Sequence, residues 1–230
     1  MQHVAVVIPA RDEELRVEAC LSSVLAAGAR CPVDVSVTLV ADSCSDRTTE
    51  LARRFPDVAV LELSASNVGL SRAFGVRKAL EHCGRHPAQV WIANTDADST
   101  VPTDWLVRQV ELADAGYDAI LGEVFPDPKE YPRHLQQRWA RAHRAGRTRN
   151  EIYGANLGVR ASAYLRAGGF TSLEEHEDVD LVRRLCGSRV LYSDAPPVRT
   201  SARHDGRTPG GFAGYLRSEH EQFVSLTEAM

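Results

Sequence analysis

Val90-Trp91-Ile92-Ala93-Asn94-Thr95-Asp96-Ala97-Asp98 is a short apolar run that passes directly into two carboxylates one residue apart. Its first four residues have the length and composition of a strand buried on both faces, as parallel sheets require. The pattern recurs upstream. Val4-Ala5-Val6-Val7-Ile8 is a continuous apolar run closed by Pro9. Val33, Val35, Val37 and Leu39 alternate with Asp34, Ser36 and Thr38, a period-two strand, and Val58 to Leu63 reads as another. Between the strands lie helical patterns. One starts at about Asp12, with Val17, Leu21, Val24 and Leu25 as its apolar stripe and Gly28 as its terminator. Others run from Leu70 to His82 and from Thr103 to Ala115, before a short strand at Ala119-Ile120-Leu121.

Strands alternating with helices predict an α/β fold: a Rossmann-like, mostly parallel central sheet with helices on both faces. Such sheets bind ligands beyond the carboxyl ends of their strands. The polar clusters Pro9-Ala10-Arg11, Ala41-Asp42-Ser43 and Asn94 to Asp98 fall at those ends. After Gly122 the rhythm breaks into a proline-containing segment, a basic helical stretch, a helix near Ser162 to Ala167, the turn Gly168-Gly169-Phe170, a helix from Glu177 to Cys186 and a strand at Val190-Leu191-Tyr192. Thr200 to Gly214 reads as a loop or lid. Residues 1–230 therefore read as one domain in two unequal halves, 1–122 and 123–230.

Composition sets further bounds. The 230 residues are 43% hydrophobic and carry a net charge of -4, without the basic footprint of a nucleic-acid binder. Charge is uneven, since Arg133 to Arg149 holds six arginines and two histidines and no acid. Five cysteines without a CxxC pair read as free thiols in a reducing compartment, which places the protein in the cytoplasm. No apolar run approaches the ~20 residues that cross a bilayer. Asp96 and Asp98 can converge on one divalent cation, because Mg²⁺ and Mn²⁺ take hard oxygen ligands and leave positions for phosphate. The same spacing is also common in turns.

An ordered set of motifs sharpens this. Val7-Ile8-Pro9-Ala10-Arg11-Asp12-Glu13-Glu14, Ala41 to Asp46, Asn67-Val68-Gly69-Leu70-Ser71-Arg72, Asp96-Ala97-Asp98, Gly154-Ala155-Asn156-Leu157-Gly158 and Glu177-Asp178 follow one another along the chain. The set resembles the family 2 glycosyltransferases of the GT-A fold. The resemblance implies a nucleotide-sugar-binding half (1–122) and a smaller acceptor-side half (123–230). It places Pro9, Arg11 and Glu13 around the base and ribose, Asp42 on the base, and Arg72 toward ribose or pyrophosphate. Asp98 is the implied direct ligand of Mn²⁺ or Mg²⁺, with Asp96 on the ribose or reaching the metal through water, and His204 completing the metal site. Arg203 and Arg207 are alternative clamps for the phosphates. Asn156 and its glycines would floor the sugar. Asp178 matches the general base of an inverting transferase, which takes the acceptor hydroxyl's proton.

The implied donor is a UDP- or GDP-sugar and the acceptor a hydroxyl compound, anionic in view of the Arg133 to Arg149 run; a homodimer is left open. The chain carries neither the transmembrane helices nor the long C-terminal acceptor domain of many relatives, which disfavours membrane-embedded polymer synthesis and lipid acceptors. Gln136-Gln137-Arg138-Trp139 only partly matches the acceptor motif of processive synthases and stands in the wrong order, so single-sugar transfer is expected. Three other readings share these residues: a retaining transferase, a nucleotidyltransferase, and a degenerate nucleotide-sugar binding module. Trp139 is expected to anchor its helix before it stacks on a sugar.

Overall fold

The computed structural model describes residues 1–142, 152–203, 206 and 210–218. Its central strand, β1 (His3–Ala10), shows why the sequence folds as it does. Val4, Val6 and Ile8 enter one hydrophobic core, while Ala5 and Val7 enter a second core on the opposite face. Both faces are covered, so all five side chains are fully buried and the run is apolar throughout.

The first core is closed by α1 (Val17–Gly28), α2 (Thr48–Ala52) and α4 (Trp105–Asp114), and the second by α3 (Val68–Cys83), α6 (Ala161–Arg166) and α7 (Glu177–Arg184). The remaining strands are β2 (Asp34–Asp42), β3 (Val58–Leu63), β4 (Val90–Asn94), β5 (Ser99–Thr100), β6 (Ala119–Pro126), β7 (Leu157–Arg160) and β8 (Val190–Thr200). One sheet takes them in the order β3-β2-β1-β4-β7-β6-β8-β5. β1, β2, β3 and β4 are mutually parallel, and so are β6 and β8; β7 runs antiparallel to both β4 and β6. Short 3₁₀ turns occupy Pro87–Gln89 and Gly154–Asn156.

Several boundaries differ from the sequence reading, each for a local reason. The first helix begins at Val17, not near Asp12. Asp12 is left-handed (φ 47°), and its Oδ1 accepts from the backbone N–H groups of Ser45 and Asp46 at 2.7 and 3.3 Å. The Glu13 N–H donates to Thr48 Oγ1 at 2.6 Å, so residues 11–16 are stitched to the next loop before the helix starts. The last two strands run longer than the short apolar patches suggest, because β6 and β8 pair with each other up to Pro126↔Thr200. β5 was not expected at all. It pairs antiparallel with the end of β8 (Ser99↔Thr200) and brings the late chain beside Asp98. Residues 212–218 are helical, cutting into the segment expected to be loop up to Gly214.

The basic stretch begins as the helix α5 (Arg133–Ala142); the rest of the run, 143–149, lies outside the described residues. Trp139 is buried in an aromatic cluster, edge-on to Phe125, Tyr131, Phe212 and Tyr215 at centroid distances of 5.5–6.4 Å. It anchors its helix, as expected. Among the described residues, no helix is long and apolar enough to cross a membrane.

Candidate active site

Loops at the carboxyl ends of β1, β2, β3 and β4 meet the end of β8 and the start of α7. Four non-glycine residues among those described have positive φ: Asp12, Ser43, Ser66 and His176. All four flank these loops, where backbone strain is tolerated when surrounding contacts over-determine it. His176, at φ 62°, is the N-cap of α7 and turns the chain so that Glu177 and Asp178 open that helix.

Each acidic residue of the site has a built-in partner. Asp98 has a side chain only 14% exposed; its Oδ1 accepts from Thr200 Oγ1 (3.1 Å) and Ser99 Oγ (3.3 Å). Its Oδ2 lies 3.0 Å from Nη2 of Arg203. Burial and the neighbouring Asp96 push the Asp98 carboxyl up to about 6, against the pull of Arg203. Arg203 also forks onto Glu13, with Nη1 to Oε2 at 2.9 Å and Nη2 to Oε1 at 2.6 Å. The segment carrying it is held by Glu130, whose Oε2 accepts from Ser201 Oγ and the Ala202 N–H at 2.8 and 3.0 Å.

Asp96 is paired on the other side. Its Oδ1 accepts from Nη2 of Arg72 at 2.6 Å, and the Arg72 Nε donates to Oε1 of buried Glu177 at 2.9 Å. Arg72 is 2% exposed, with its guanidinium 5.9 Å from the Phe170 ring centroid. Burial disfavours its charge, but Asp96, Glu177 and Asp178 outweigh this and hold it protonated beyond the ordinary arginine range. Two glycines make the placement feasible. A side chain at Gly69 would collide with the Thr171 carbonyl, and one at Gly154 would collide with the Arg72 guanidinium.

Asp178, half-buried, takes the Gly154 N–H on Oδ2 (2.6 Å) and the Val179 N–H on Oδ1 (2.7 Å). Burial first and Glu177 next push its carboxyl up to about 6, with Arg72 pulling the other way. A carboxylate so poised can accept a proton near neutral pH.

The other expected site residues sit as follows. Pro9 ends the apolar part of β1, and Arg11 extends from the adjoining loop without an ion pair among the described residues. Asp42 is buried, and its Oδ1 accepts from the N–H groups of Ala65 and Ser66, both at 2.8 Å. Its Oδ2 accepts from the Asn67 N–H (2.9 Å) and Ser71 Oγ (2.7 Å). Burial opposes this charge, yet these bonds hold the carboxyl below its ordinary value. A nucleobase reaching Asp42 would have to displace one of these donors. The Asn156 carboxamide is likewise engaged, accepting from Trp105 Nε1 (2.9 Å) and donating to the Glu123 carbonyl (2.8 Å). His204 and Arg207 lie outside the described residues.

Asp96 and Asp98 offer only carboxylate oxygens, the donor chemistry of Mn²⁺ and Mg²⁺. Burial is the main cause of the upward push on Asp98, with Asp96 and Glu13 adding to it, and a divalent ion fits carboxylates gathered in this way. Two features were not evident in the sequence. One is the role of Glu177, which the Glu177-Asp178 motif included without assigning it any, and which is buried against Arg72. The other is the fork between Glu13 and Arg203, 190 positions apart.

Comparison with known proteins now bears on this geometry. The family described as Glycosyl transferase family 2 matches residues 5–173. An undecaprenyl-phosphate 4-deoxy-4-formamido-L-arabinose transferase of Edwardsiella ictaluri is 27% identical over 234 residues, covering 99% of this chain and 69% of that protein. Among solved structures, S. aureus TarS 1-349 in complex with UDP-GlcNAc superposes with a TM-score of 0.66 at 13% identity, over 92% of this chain. This chain spans 62% of that one, less than two thirds. The mannosyltransferase PcManGT from Pyrobaculum calidifontis, in complex with GDP-Man and Mn²⁺, gives a TM-score of 0.62 at 20% identity over 94% of this chain and 68% of that one. These likenesses show the GT-A fold.

Proposed function

The chain belongs to glycosyl transferase family 2, and from that premise we propose that it moves a single sugar from a UDP- or GDP-sugar to a hydroxyl acceptor, with inversion. The observation that carries this is Asp178. Its carboxylate is fixed by the Gly154 N–H and poised at about 6, on the helix that faces Asp96 through Glu177 and Arg72. Inversion needs such a base opposite the leaving group.

Mn²⁺ or Mg²⁺ would be held by Asp98, with Asp96 beside it, and would supply charge to offset the departing diphosphate. The charge of the site supports this reading. Arg72 pairs with Asp96 and Glu177, and Arg203 pairs with Glu13 and Asp98, so two cations stand among five crowded carboxylates that include Asp178. Further positive charge would ease the entry of a diphosphate among these acids. The solved neighbours support the donor class, since they hold UDP-GlcNAc in one case and GDP-Man with Mn²⁺ in another. Within this reading Arg72 and Glu177 set the distance between donor side and base, and Asp42 shapes the loop under the base. Free thiols at Cys20, Cys31, Cys44, Cys83 and Cys186 support a reducing, cytoplasmic setting.

A second reading concerns the acceptor. The Edwardsiella relative is named for transfer to undecaprenyl phosphate and matches nearly the whole chain, which supports a polyprenyl phosphate as the alternative acceptor. A phosphate oxygen is already ionised at neutral pH (second pKa about 6) and needs no base. Asp178→Asn separates the two: a hydroxyl acceptor loses transfer, a phosphate acceptor keeps it. The donor is tested by thermal unfolding with UDP- and GDP-sugars, with and without Mn²⁺. A true donor at one hundred times its Kd stabilises by about 2.7 kcal/mol, and no shift with any of them would overturn the reading.

A further inference from the structure

We propose that Arg203 is an internal cation that shares Asp98 with the divalent ion, and that Glu13 is a positioning residue that holds Arg203 and is not a ligand of the nucleotide. The proposal rests on the metal reading above and deepens it. The geometry that carries it is the fork. Both oxygens of Glu13, a residue 4% exposed, are taken by Nη1 and Nη2 of Arg203 at 2.9 and 2.6 Å. The same Nη2 lies 3.0 Å from Asp98 Oδ2. One guanidinium thus bridges two buried carboxylates from β1's loop and β4's loop, delivered by a segment that Glu130 fastens at Ser201 and Ala202.

The arrangement has a direct consequence for a metal ion. A cation arriving at Asp98 competes with the guanidinium for the same carboxylate, because two positive charges on one oxygen pair repel. Arg203 does not have to leave the site, since the fork to Glu13 survives the loss of the Asp98 contact. Glu13 therefore decides how firmly Arg203 stays on Asp98. It supplies the alternative anchor onto which Arg203 retires, and its planar match to the guanidinium makes that anchor a strong one. Released from Asp98, the guanidinium keeps donors to offer an anion that binds with the metal.

The two side chains predict effects of opposite sign on metal binding, read without any turnover. Mn²⁺ alone is titrated into the full chain, with free Mn²⁺ followed by electron paramagnetic resonance and heat by calorimetry. Arg203→Gln removes the competitor, so Mn²⁺ binds about tenfold tighter than to the wild type. Glu13→Gln removes the alternative anchor, so Arg203 leans on Asp98 and Mn²⁺ binds several-fold more weakly. The double variant Glu13→Gln/Arg203→Gln keeps the tightening. Its loss there would mean that the liberated Glu13 had taken the ion, which would overturn the proposal. Unchanged or equally weakened binding in both single variants would also overturn it. Thermal unfolding of each variant reports folding, and Arg203→Lys, which keeps the charge and loses the fork, stands in for Arg203→Gln if that variant does not fold. Lysine lacks the second prong for Glu13, so its ammonium sits on Asp98 and Mn²⁺ binds more weakly than to the wild type; tighter binding would count against the fork. If neither the wild type nor any variant, including Arg203→Gln, binds Mn²⁺, the metal reading itself fails, a result distinct from the failure of the Arg203 proposal.

Discussion

Replacing Arg72 by methionine should unfold the centre of the site from within. The substitution keeps an unbranched apolar stem but deletes the guanidinium. Arg72 has a side chain 2% exposed, and its partner Glu177 has one 7% exposed, so their 2.9 Å contact is shut away from water. Its other partner, Asp96, is 36% exposed and can recover hydration. The cost is therefore dominated by Glu177, left as a buried carboxylate without its cation. Breaking a buried pair on one side costs about 3–5 kcal/mol, a large share of the roughly 5–15 kcal/mol that holds a typical domain together. Urea unfolding followed by tryptophan fluorescence measures the loss. The diagnostic variant is Arg72→Met/Glu177→Gln, which removes the stranded charge and should recover at least about 2 kcal/mol, within the range of coupling for contacting residues. If Arg72→Met costs less than about 1 kcal/mol, or if the second substitution recovers nothing, the pair is not the keystone described above.

Three further outcomes follow from the same geometry. Asp178→Asn should retain UDP binding by calorimetry while losing transfer by about 10²–10⁴-fold, the range for a positioned base; equal loss of both would make Asp178 a binding residue. With the wild-type enzyme, transfer should rise with pH through about 6 and then level off, because the base works only as carboxylate and its carboxyl is pushed up to that value; a limb that persists unchanged in an Asp178→Asn variant with residual activity would assign it to another group. Asp42→Asn should cost about 1.5–3 kcal/mol by denaturant unfolding, the range for hydrogen bonds to a charged group. The wild-type Asp42 carboxyl lies below its unfolded value, so its contribution is present above the ordinary carboxylate range and is lost as pH falls through the depressed value. A variant within about 0.5 kcal/mol of the wild type at neutral pH would show that the 65–67 loop does not depend on this charge.

The fold was legible where burial alone dictates residue type. The Val4 to Ile8 stretch of β1 is apolar throughout because both of its faces are covered, and β4 repeats the condition from Val90 to Ala93 before buried Asn94. What the sequence did not carry were contacts between distant polar residues. No periodicity reveals that Asp12 will be left-handed and stitched to Ser45 and Asp46, so the first helix was started five residues early. Likewise, nothing in Ser193 to Thr200 reads as strand, because its pairing with β6 and β5 supplies the order that its prolines and polar residues do not. Asp42, Asp96 and Asp98 were visible at strand ends, and Asp178 at the start of a helix. Their partners were not, since an ion pair such as Arg72 with Glu177 spans 105 positions and leaves no local signature.

Those partners change how the site should be thought of. Read one residue at a time, Glu13, Asp96, Asp98 and Asp178 are separate ligands and a base, each waiting for something to arrive. In the fold they belong to one run of alternating charge, from Glu13 through Arg203 to Asp98, and from Asp96 through Arg72 to Glu177 beside Asp178. Arg72 and Arg203 offset part of the charge of five crowded carboxylates, and they also set what any ligand must overcome. A cation that takes Asp98 must first loosen Arg203, and a change at Asp96 is felt by Arg72 and so by the electrostatics of Asp178. In the proposed reading, donor side and base are thereby joined through side chains that need never touch substrate. It follows that Glu177, the least exposed acid of the α7 start and the one that resembles no ligand, should matter to both.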